Sequence, residues 1–353
     1  MVGFVRLALG AQHSVILKQD GSVWSTAIVF RGPVPRRESD KKFSKVLPGG
    51  AIAVAAGGGH SIVLMQDGSV WAIGRNHQGQ LGDGTTTKKG TFFFVLKISG
   101  SKTVAAGGGH SMILTLEGQV WATGANKYGQ LGDGSRTDRV RFRQVVSSGA
   151  EALAAGDFHS FLLKQDGSVW VTGRNLSGQL GDGSNIDKNT FVEVMASGAA
   201  YVAAGGSFSM VVKQDGSVWG TGRNGYGQLG DGSIIARNNF VQVASGAKAV
   251  AAGSRHSMML RQDGSVWVTG YNRYGQLGNG RKTNSYEFFQ VISDGAVAIA
   301  AGGAHSMVVK EGGSIWATGS NDYGQFGDGM ATSQTNFVRL APNDDGAPRL
   351  HAY

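Results

Sequence analysis

FSMVVKQDGSVWGTGRNGYGQLGDG, residues 208–232, recurs whole or in part seven times along the 353-residue chain. All seven tryptophans occupy one position in it: Trp24, Trp71, Trp121, Trp170, Trp219, Trp267 and Trp316, spaced 47 to 50 residues apart. Eleven residues before each stands His13, His60, His110, His159, Phe208, His256 or His305. From each Trp to the Phe that opens the last segment (Phe92, Phe142, Phe191, Phe240, Phe288, Phe337) is 21 residues, and 19 to Phe43 in the first unit. So constant a period means one supersecondary unit repeated, each copy covering its neighbour's apolar face.

Within a unit the pattern predicts four short strands. Val202 to Ala204 is the first, followed by a Gly turn. Ser209 to Lys213 and Ser217 to Gly220 flank Asp215-Gly216, a two-residue hairpin signal. Phe240 to Val243 is the fourth, reached by a connection of about twenty residues that carries NGYGQLGDG. A lone four-stranded sheet is marginal, whereas seven arranged radially cover one another, so the reading is all-β, a seven-bladed β-propeller of four-stranded antiparallel blades. The repeats fall at 1–50, 51–101, 102–149, 150–199, 200–247, 248–296 and 297–341 of a single domain, with 342–353 as a C-terminal tail whose Asn343, Asp344 and Asp345 predict mobility. Ring closure is expected to bring Phe4 to Leu9 beside the seventh unit, with the detail of strand exchange left open.

Fifty-eight glycines fall at fixed offsets beside hydrophobic runs, which makes them turn chemistry rather than low complexity. With no Cys there is no disulfide framework, thiol nucleophile or thiolate metal site. No apolar run approaches the roughly 20 residues that span a bilayer, and MVGFVRLALGAQHS enters the first repeat without a leader pattern. The expectation is a soluble monomer, cytoplasmic or nuclear. Unit one replaces the glycine loop with STAIVFRGPVPRRESDKK, in which Pro33 and Pro35 exclude regular ladder pairing. It reads as a degenerate terminal repeat, with a dedicated binding loop as the alternative.

The net charge of +9 is unevenly placed. Between each Trp and the Phe that opens the last segment, the seven connections carry +3, +2, +2, 0, +1, +2 and −2, together +8. Equivalent connections leave a propeller from one face, while the hairpin tips with Asp20, Asp67, Glu117, Asp166, Asp215, Asp263 and Glu311 leave from the other. One face is therefore predicted basic and the other roughly neutral.

AAGGGHSIVL (Ala55 to Leu64), QDGSVW (Gln66 to Trp71) and NKYGQLGDG (Asn126 to Gly134) resemble the regulator of chromosome condensation family of seven-bladed propellers, and the resemblance covers essentially the whole chain. Family repeats often place a Trp just before the Gly that ends the third strand, where this chain has Thr123, Thr172, Thr221, Thr269 and Thr318. The resemblance implies guanine-nucleotide exchange on a small GTPase as one possible activity. It also implies, in chromosome-associated members, a β-hairpin wedge and a basic N-terminal tail; the even spacing and the start of the repeats by Leu7 match neither.

Candidate chemistry is weighed against structural roles. One His per unit, replaced by Phe208 in the fifth, suits packing and hydrogen bonding better than a convergent metal site. Neighbours such as His60 and Ser61 point to opposite faces of a strand and cannot form a nucleophile–base pair with each other. Asp83, Asp133, Asp182, Asp231 and Asp328 read as turn-stabilising rather than as calcium ligands, and the glycine loops lack the Lys-Ser/Thr continuation of a nucleotide site. No metal or cofactor is expected, and no group of residues assembles for catalysis. The function read from the sequence is a non-enzymatic interaction scaffold, with an exchange factor for a small GTPase as the alternative. Its binding face would hold Lys88, Lys89, Tyr128, Arg136, Arg139, Arg141, Tyr226, Arg237, Arg273, Tyr274, Arg281, Lys282 and Tyr323. An acidic protein surface is the partner expected first; a small GTPase, nucleic acid or an anionic membrane would also suit the charge.

Overall fold

The computed structural model describes residues 6–26, 41–342 and 348–350. Seven antiparallel sheets stand in a ring, each ordered as its strands occur in the chain. The blades span residues 6–47, 51–97, 101–146, 150–195, 199–244, 247–292 and 296–342. In blade five the strands are Ala199–Ala204, Phe208–Lys213, Val218–Gly222 and Arg237–Ala244, each beginning or ending beyond the shortest run its sequence predicts. The first strand of every blade lies innermost, and its last residues line a central channel.

The second strands explain the core. Phe208–Lys213 is buried over its first five residues, and its alternating side chains serve two neighbours. Val211 joins Phe161 and Val169 of blade four, whereas Met210 and Val212 join Val250 and Met259 of blade six. Trp219 packs on the blade-four cluster, and it and five equivalents stay half-buried. Lys213 lies 4.2 Å above its ring, and the indole N–H donates to Ser217 Oγ at 2.9 Å.

Two local expectations change, and the structure decides how the ring closes. The hairpin connection has three residues, Gln214 to Gly216: Lys213 N bonds Ser217 O, Gly216 N bonds Lys213 O, and Gly216 sits at φ 78°. Asp215 Oδ1 accepts from Ser217 N and Oγ, closing the turn. Blade one takes all four strands from residues 6–47, so the described ring closes without strand exchange; Arg6–Leu9 pairs with Ser14–Leu17 and lies beside blade seven. Within the C-terminal tail, Pro348–Leu350 adds a fifth strand to blade seven, pairing Leu350 with Leu340 along an otherwise open edge. The mobility expected at Asn343 to Asp345 falls outside the described residues.

Two rings of hydrogen bonds tie blade to blade. In the inner one, main-chain N–H groups of Ala11, Gly58, Gly108, Asp157, Gly206, Ser254 and Gly303 donate to the carbonyls of Gly57, Gly107, Gly156, Gly205, Gly253, Gly302 and Gly10, at 3.0 to 3.3 Å. The cycle is complete. A Cβ on Gly57 would collide with Gly107 O and the His60 ring, so close approach, not backbone conformation, demands glycine there. In the outer ring each His reaches the next blade's Ser: His60 Nε2 to Ser111 Oγ at 2.8 Å, and His305 Nε2 to Ser14 Oγ at 3.0 Å across the closure. Ser111 Oγ donates in turn to Gln80 O at 2.7 Å, so the imidazole must donate from Nε2. Burial pushes these rings down to about 3 at His60, His110 and His305 and to about 4 at His159 and His256. They stand neutral.

Two outcomes follow for stability. Gly57→Ala should destabilise by about 1–3 kcal/mol through overpacking, whereas Gly90→Ala, where a Cβ meets nothing within 4 Å, should not lower the melting temperature; equal melting of the two variants would contradict the ring. Acid should also destabilise the fold. Below the unfolded value of 6.5 the unfolded chain binds protons that the folded chain refuses until about 3 to 4. Stability therefore falls with pH across that window, by up to about 1.4 kcal/mol per pH unit for each His. Denaturant titrations at pH 7, 6, 5 and 4.5 check this.

Candidate interaction face

Strand alternation places the turn after each first strand and the long connection after each third strand on one face, with the hairpin tips on the other. The connections are built around a buried Asn. Asn126 Oδ1 accepts from Leu131 N at 3.0 Å, and its Nδ2 lies near Asp133 Oδ1, Ser135 O and Thr137 O at 2.9 to 3.2 Å. Asp133 Oδ1 also accepts from Ser135 N at 3.0 Å, an Asx turn, as the sequence suggests. Asn279, which replaces the aspartate in blade six, accepts from Arg281 N at 3.1 Å in the same way.

The loop then fastens the next blade. Gly134 N bonds Asn189 O at 2.9 Å, Gln130 O accepts from Ser160 Oγ, and the Phe191 ring fills the space beside Gly132 where a Cβ would stand. Thr172 Oγ1 lies 2.8 Å from Gly129 O of blade three. The threonines at the place where the family often has Trp are thus blade-to-blade links. Blade two has Ile73 there, beside a first blade that lacks the GQLGDG loop. Lys41 and Lys42 of blade one still receive the blade-seven loop, through Gly329 N to Lys41 O and a bridge to Asp328. The remaining cations of that basic segment, Arg31, Arg36 and Arg37, lie outside the described residues.

The predicted binding residues divide into two groups. Lys89, Arg139 and Arg237 turn inward onto the loop aspartates: Lys89 Nζ to Asp83 at 3.3 Å, Arg139 Nη2 to Asp133 at 2.7 Å and Arg237 Nη2 to Asp231 at 2.7 Å. Burial raises the Asp133 carboxyl, but hydrogen bonds from Ser135, Arg139 and Asn126 outweigh it and hold it below the usual carboxylate range. Arg136 Nη1 lies 3.9 Å from Asp187 of blade four, an exposed contact. Lys88, Arg141, Arg273, Arg281 and Lys282 are exposed, as are Tyr274 and Tyr323; Tyr128 and Tyr226 are half-buried.

Two clusters near the channel mouth include residues that the sequence reading passed over. Tyr226 of blade five meets Tyr271 of blade six at 4.8 Å between ring centroids, Arg255 lies 5.3 Å over Tyr226 and 5.8 Å over Tyr271, and Arg223 lies 5.7 Å over Tyr226. Between blades three and four, Tyr128 meets Phe158 at 5.5 Å with Arg174 4.8 Å over Tyr128. A signal existed. Phe158 and Arg255 stand just before the His, where three other units have Gly59, Gly109 and Ala304. Beside them on the channel mouth, burial raises the Asp157 carboxyl while Arg255 draws it back. Among the described residues no three His, Asp or Glu side chains converge as metal ligands.

Arg139→Glu should lower stability by about 1–3 kcal/mol, because it sets a second carboxylate against the largely buried Asp133. Arg281→Glu, on an exposed position, should leave the unfolding midpoint unchanged; equal midpoints would refute the structural role of the Arg139 pair.

Comparison with known proteins agrees with this architecture. The RCC1-like domain matches residues 1–285, and the regulator of chromosome condensation (RCC1) repeat matches residues 263–309 and 296–325. No curated protein matches the chain by sequence. Similar solved structures include human WBSCR16, at 23% identity and TM-score 0.78 over 89% of each chain. Another is Prp20p from Saccharomyces cerevisiae, at 21% identity and TM-score 0.75 over 86% of this chain and 82% of that one. Likenesses at this identity show the fold. Because the domain match covers most of its length, the chain belongs to the RCC1-like domain family.

Proposed function

We propose that this propeller is a non-enzymatic interaction scaffold that presents its loop face to an acidic protein surface. The observation that carries the reading is the placement of charge. The connections of blades two to six, each net neutral or positive, all leave from that face, and their net charge already counts the aspartates that Lys89, Arg139 and Arg237 neutralise. Arg141, Arg273, Arg281 and Lys282 remain exposed there, with no carboxylate within salt-bridge distance among the described residues. The Ser–His pairs are absorbed by the links between blades, which leaves their hydroxyls donating to main-chain carbonyls rather than to a substrate.

Exchange activity on a small GTPase is the second reading, favoured by likeness to Prp20p, whose structure is described with its binding to Gsp1p and histones. The two readings separate on one protein preparation. Retention on immobilised polyglutamate should be strong and salt-sensitive, and reversal of Arg141, Arg273, Arg281 and Lys282 to Glu should lower the eluting salt while the melting temperature stays unchanged. Elution of the variant with the parent would remove the basic face as a binding surface. Accelerated nucleotide release from a panel of small GTPases would replace the scaffold reading with the exchange factor.

A further inference from the structure

Charge alone points to blades two, three and six, but the most exposed apolar groups of the loop face lie on blades four and five. Ile186 of blade four and Ile235 of blade five are 67% and 62% exposed, and Ile234 is 57% exposed. In other units the equivalents of Ile186 and Ile235 are Thr87, Thr137, Thr283 and Thr332. The side chains of Ile186, Ile234 and Ile235 belong to none of the apolar clusters of the core. The loops are held there through the main chain: Asn175 Nδ2 donates to Ile186 O as Asn126 Nδ2 does to Thr137 O, and Ile235 N donates to Ser233 Oγ as Thr137 N does to Ser135 Oγ, so isoleucine and threonine serve alike. Leu176, 66% exposed, lies on the same loop as Ile186 and accepts from Asn185 Nδ2 through its carbonyl at 3.2 Å. The blade-four loop abuts the residues that follow Ile235, since Gly183 N bonds Asn238 O at 2.8 Å. Two adjacent loops thus expose apolar side chains that burial within the chain does not explain.

The connection that carries Ile234 and Ile235 also carries Arg223 and Tyr226, which belong to the Arg–Tyr cluster of blades five and six. Arg255 is stacked on two tyrosines and Arg223 on one. Neither has a carboxylate within salt-bridge distance among the described residues, although the Asp157 charge acts on Arg255. A guanidinium held on an aromatic face loses little further freedom when it receives a carboxylate, and Tyr with Arg dominates binding energy at protein interfaces. The connection of blade four is neutral and that of blade five only +1, so this part of the face offers a polyanion little. Protein surfaces that bind nucleic acid are far more positive and more polar, and aliphatic tips add nothing to a phosphodiester.

We infer that blades four to six of the loop face form the recognition centre, taking a protein segment in which carboxylates alternate with apolar side chains: the carboxylates on Arg223 and Arg255, the apolar groups on Ile186, Ile234 and Ile235. The inference rests on the proposed scaffold function and locates its centre on the loops of blades four and five, with blade six contributing Arg255 and Tyr271 rather than its basic Arg281 and Lys282.

The probe is a phage-displayed library of random 12-residue peptides, selected on the immobilised full chain; the best peptide is synthesised with a fluorophore and titrated by anisotropy. Selected sequences should carry Asp or Glu beside Leu, Ile or Phe. Ile234→Ser/Ile235→Ser/Arg255→Ala should weaken binding about 30-fold or more, as loss of hot-spot residues does. Lys88→Glu/Arg136→Glu/Arg141→Glu should weaken it less than about 5-fold, as loss of rim charge does. Circular dichroism and melting curves confirm that both variants fold. If the second variant loses the peptide and the first keeps it, the basic face stands and this centre is wrong. If neither variant loses it, or selection yields no acidic consensus, both readings fall. A 20-nucleotide single strand that competes for the same residues would assign the patch to nucleic acid and overturn the inference.

Discussion

A closed cycle of seven main-chain hydrogen bonds around the channel mouth sets the terms for the rest of the molecule. Each bond adds only about 1 kcal/mol net, so its importance is geometric. A ring has no free ends, and the seventh blade must meet the first at the spacing that joins every other pair. Gly303 N to Gly10 O at 3.1 Å meets that condition. The carbonyl approach leaves no room for a Cβ on the acceptor glycines, which is why Gly10, Gly57, Gly107, Gly156, Gly205, Gly253 and Gly302 are glycine in all seven blades. At the next position, where the donors sit, Ala11, Asp157 and Ser254 are accepted.

Outward from that cycle, the same neighbour-to-neighbour logic repeats in other chemistry. The His–Ser links come next, then apolar clusters shared by adjacent second strands, and at the face the GQLGDG loops reaching onto the following blade. Blade five shows how tolerant the scheme is: Phe208 replaces the imidazole, stays fully buried and joins the core between blades five and six, so packing takes over where the hydrogen bond is lost. The loops use their polar atoms internally. Asn126 and Asp133 make most of their possible bonds within one connection. The variable positions beside them, such as Lys127-Tyr128 and Gly225-Tyr226, are therefore displayed on a fixed frame, which is what binding with low ordering cost requires.

In a molecule of near-identical units, specificity can reside only where units differ. Those differences are concentrated on the loop face: aromatic and guanidinium groups around Tyr226, exposed isoleucines on blades four and five, and simple positive charge on blades two and three. A partner that reads all three would dock in one orientation, because no rotation of the ring superposes the pattern on itself. Charge would govern the approach, and the stacked arginines with their apolar neighbours would govern residence.

Much of this was legible in the chain itself. The fixed Trp spacing, the Asp-Gly turns and the alternating runs determined blade number, strand order and the face to which each connection belongs, since those signals are local and recur seven times. The turn role of Asp133 and the structural role of His60 were readable for the same reason. The tertiary structure alone decided which residues about fifty positions apart meet. His60 and Ser61 cannot touch, yet His60 and Ser111 do, because ring geometry sets one blade's second strand against the next. Only folding brought Lys89, Arg139 and Arg237 onto largely buried carboxylates, withdrawing three charges that the sequence had counted toward a proposed binding face. Only folding brought Arg255 over Tyr226, because side chains 29 residues apart are joined by the angle between two blades, and local sequence carries no record of that angle.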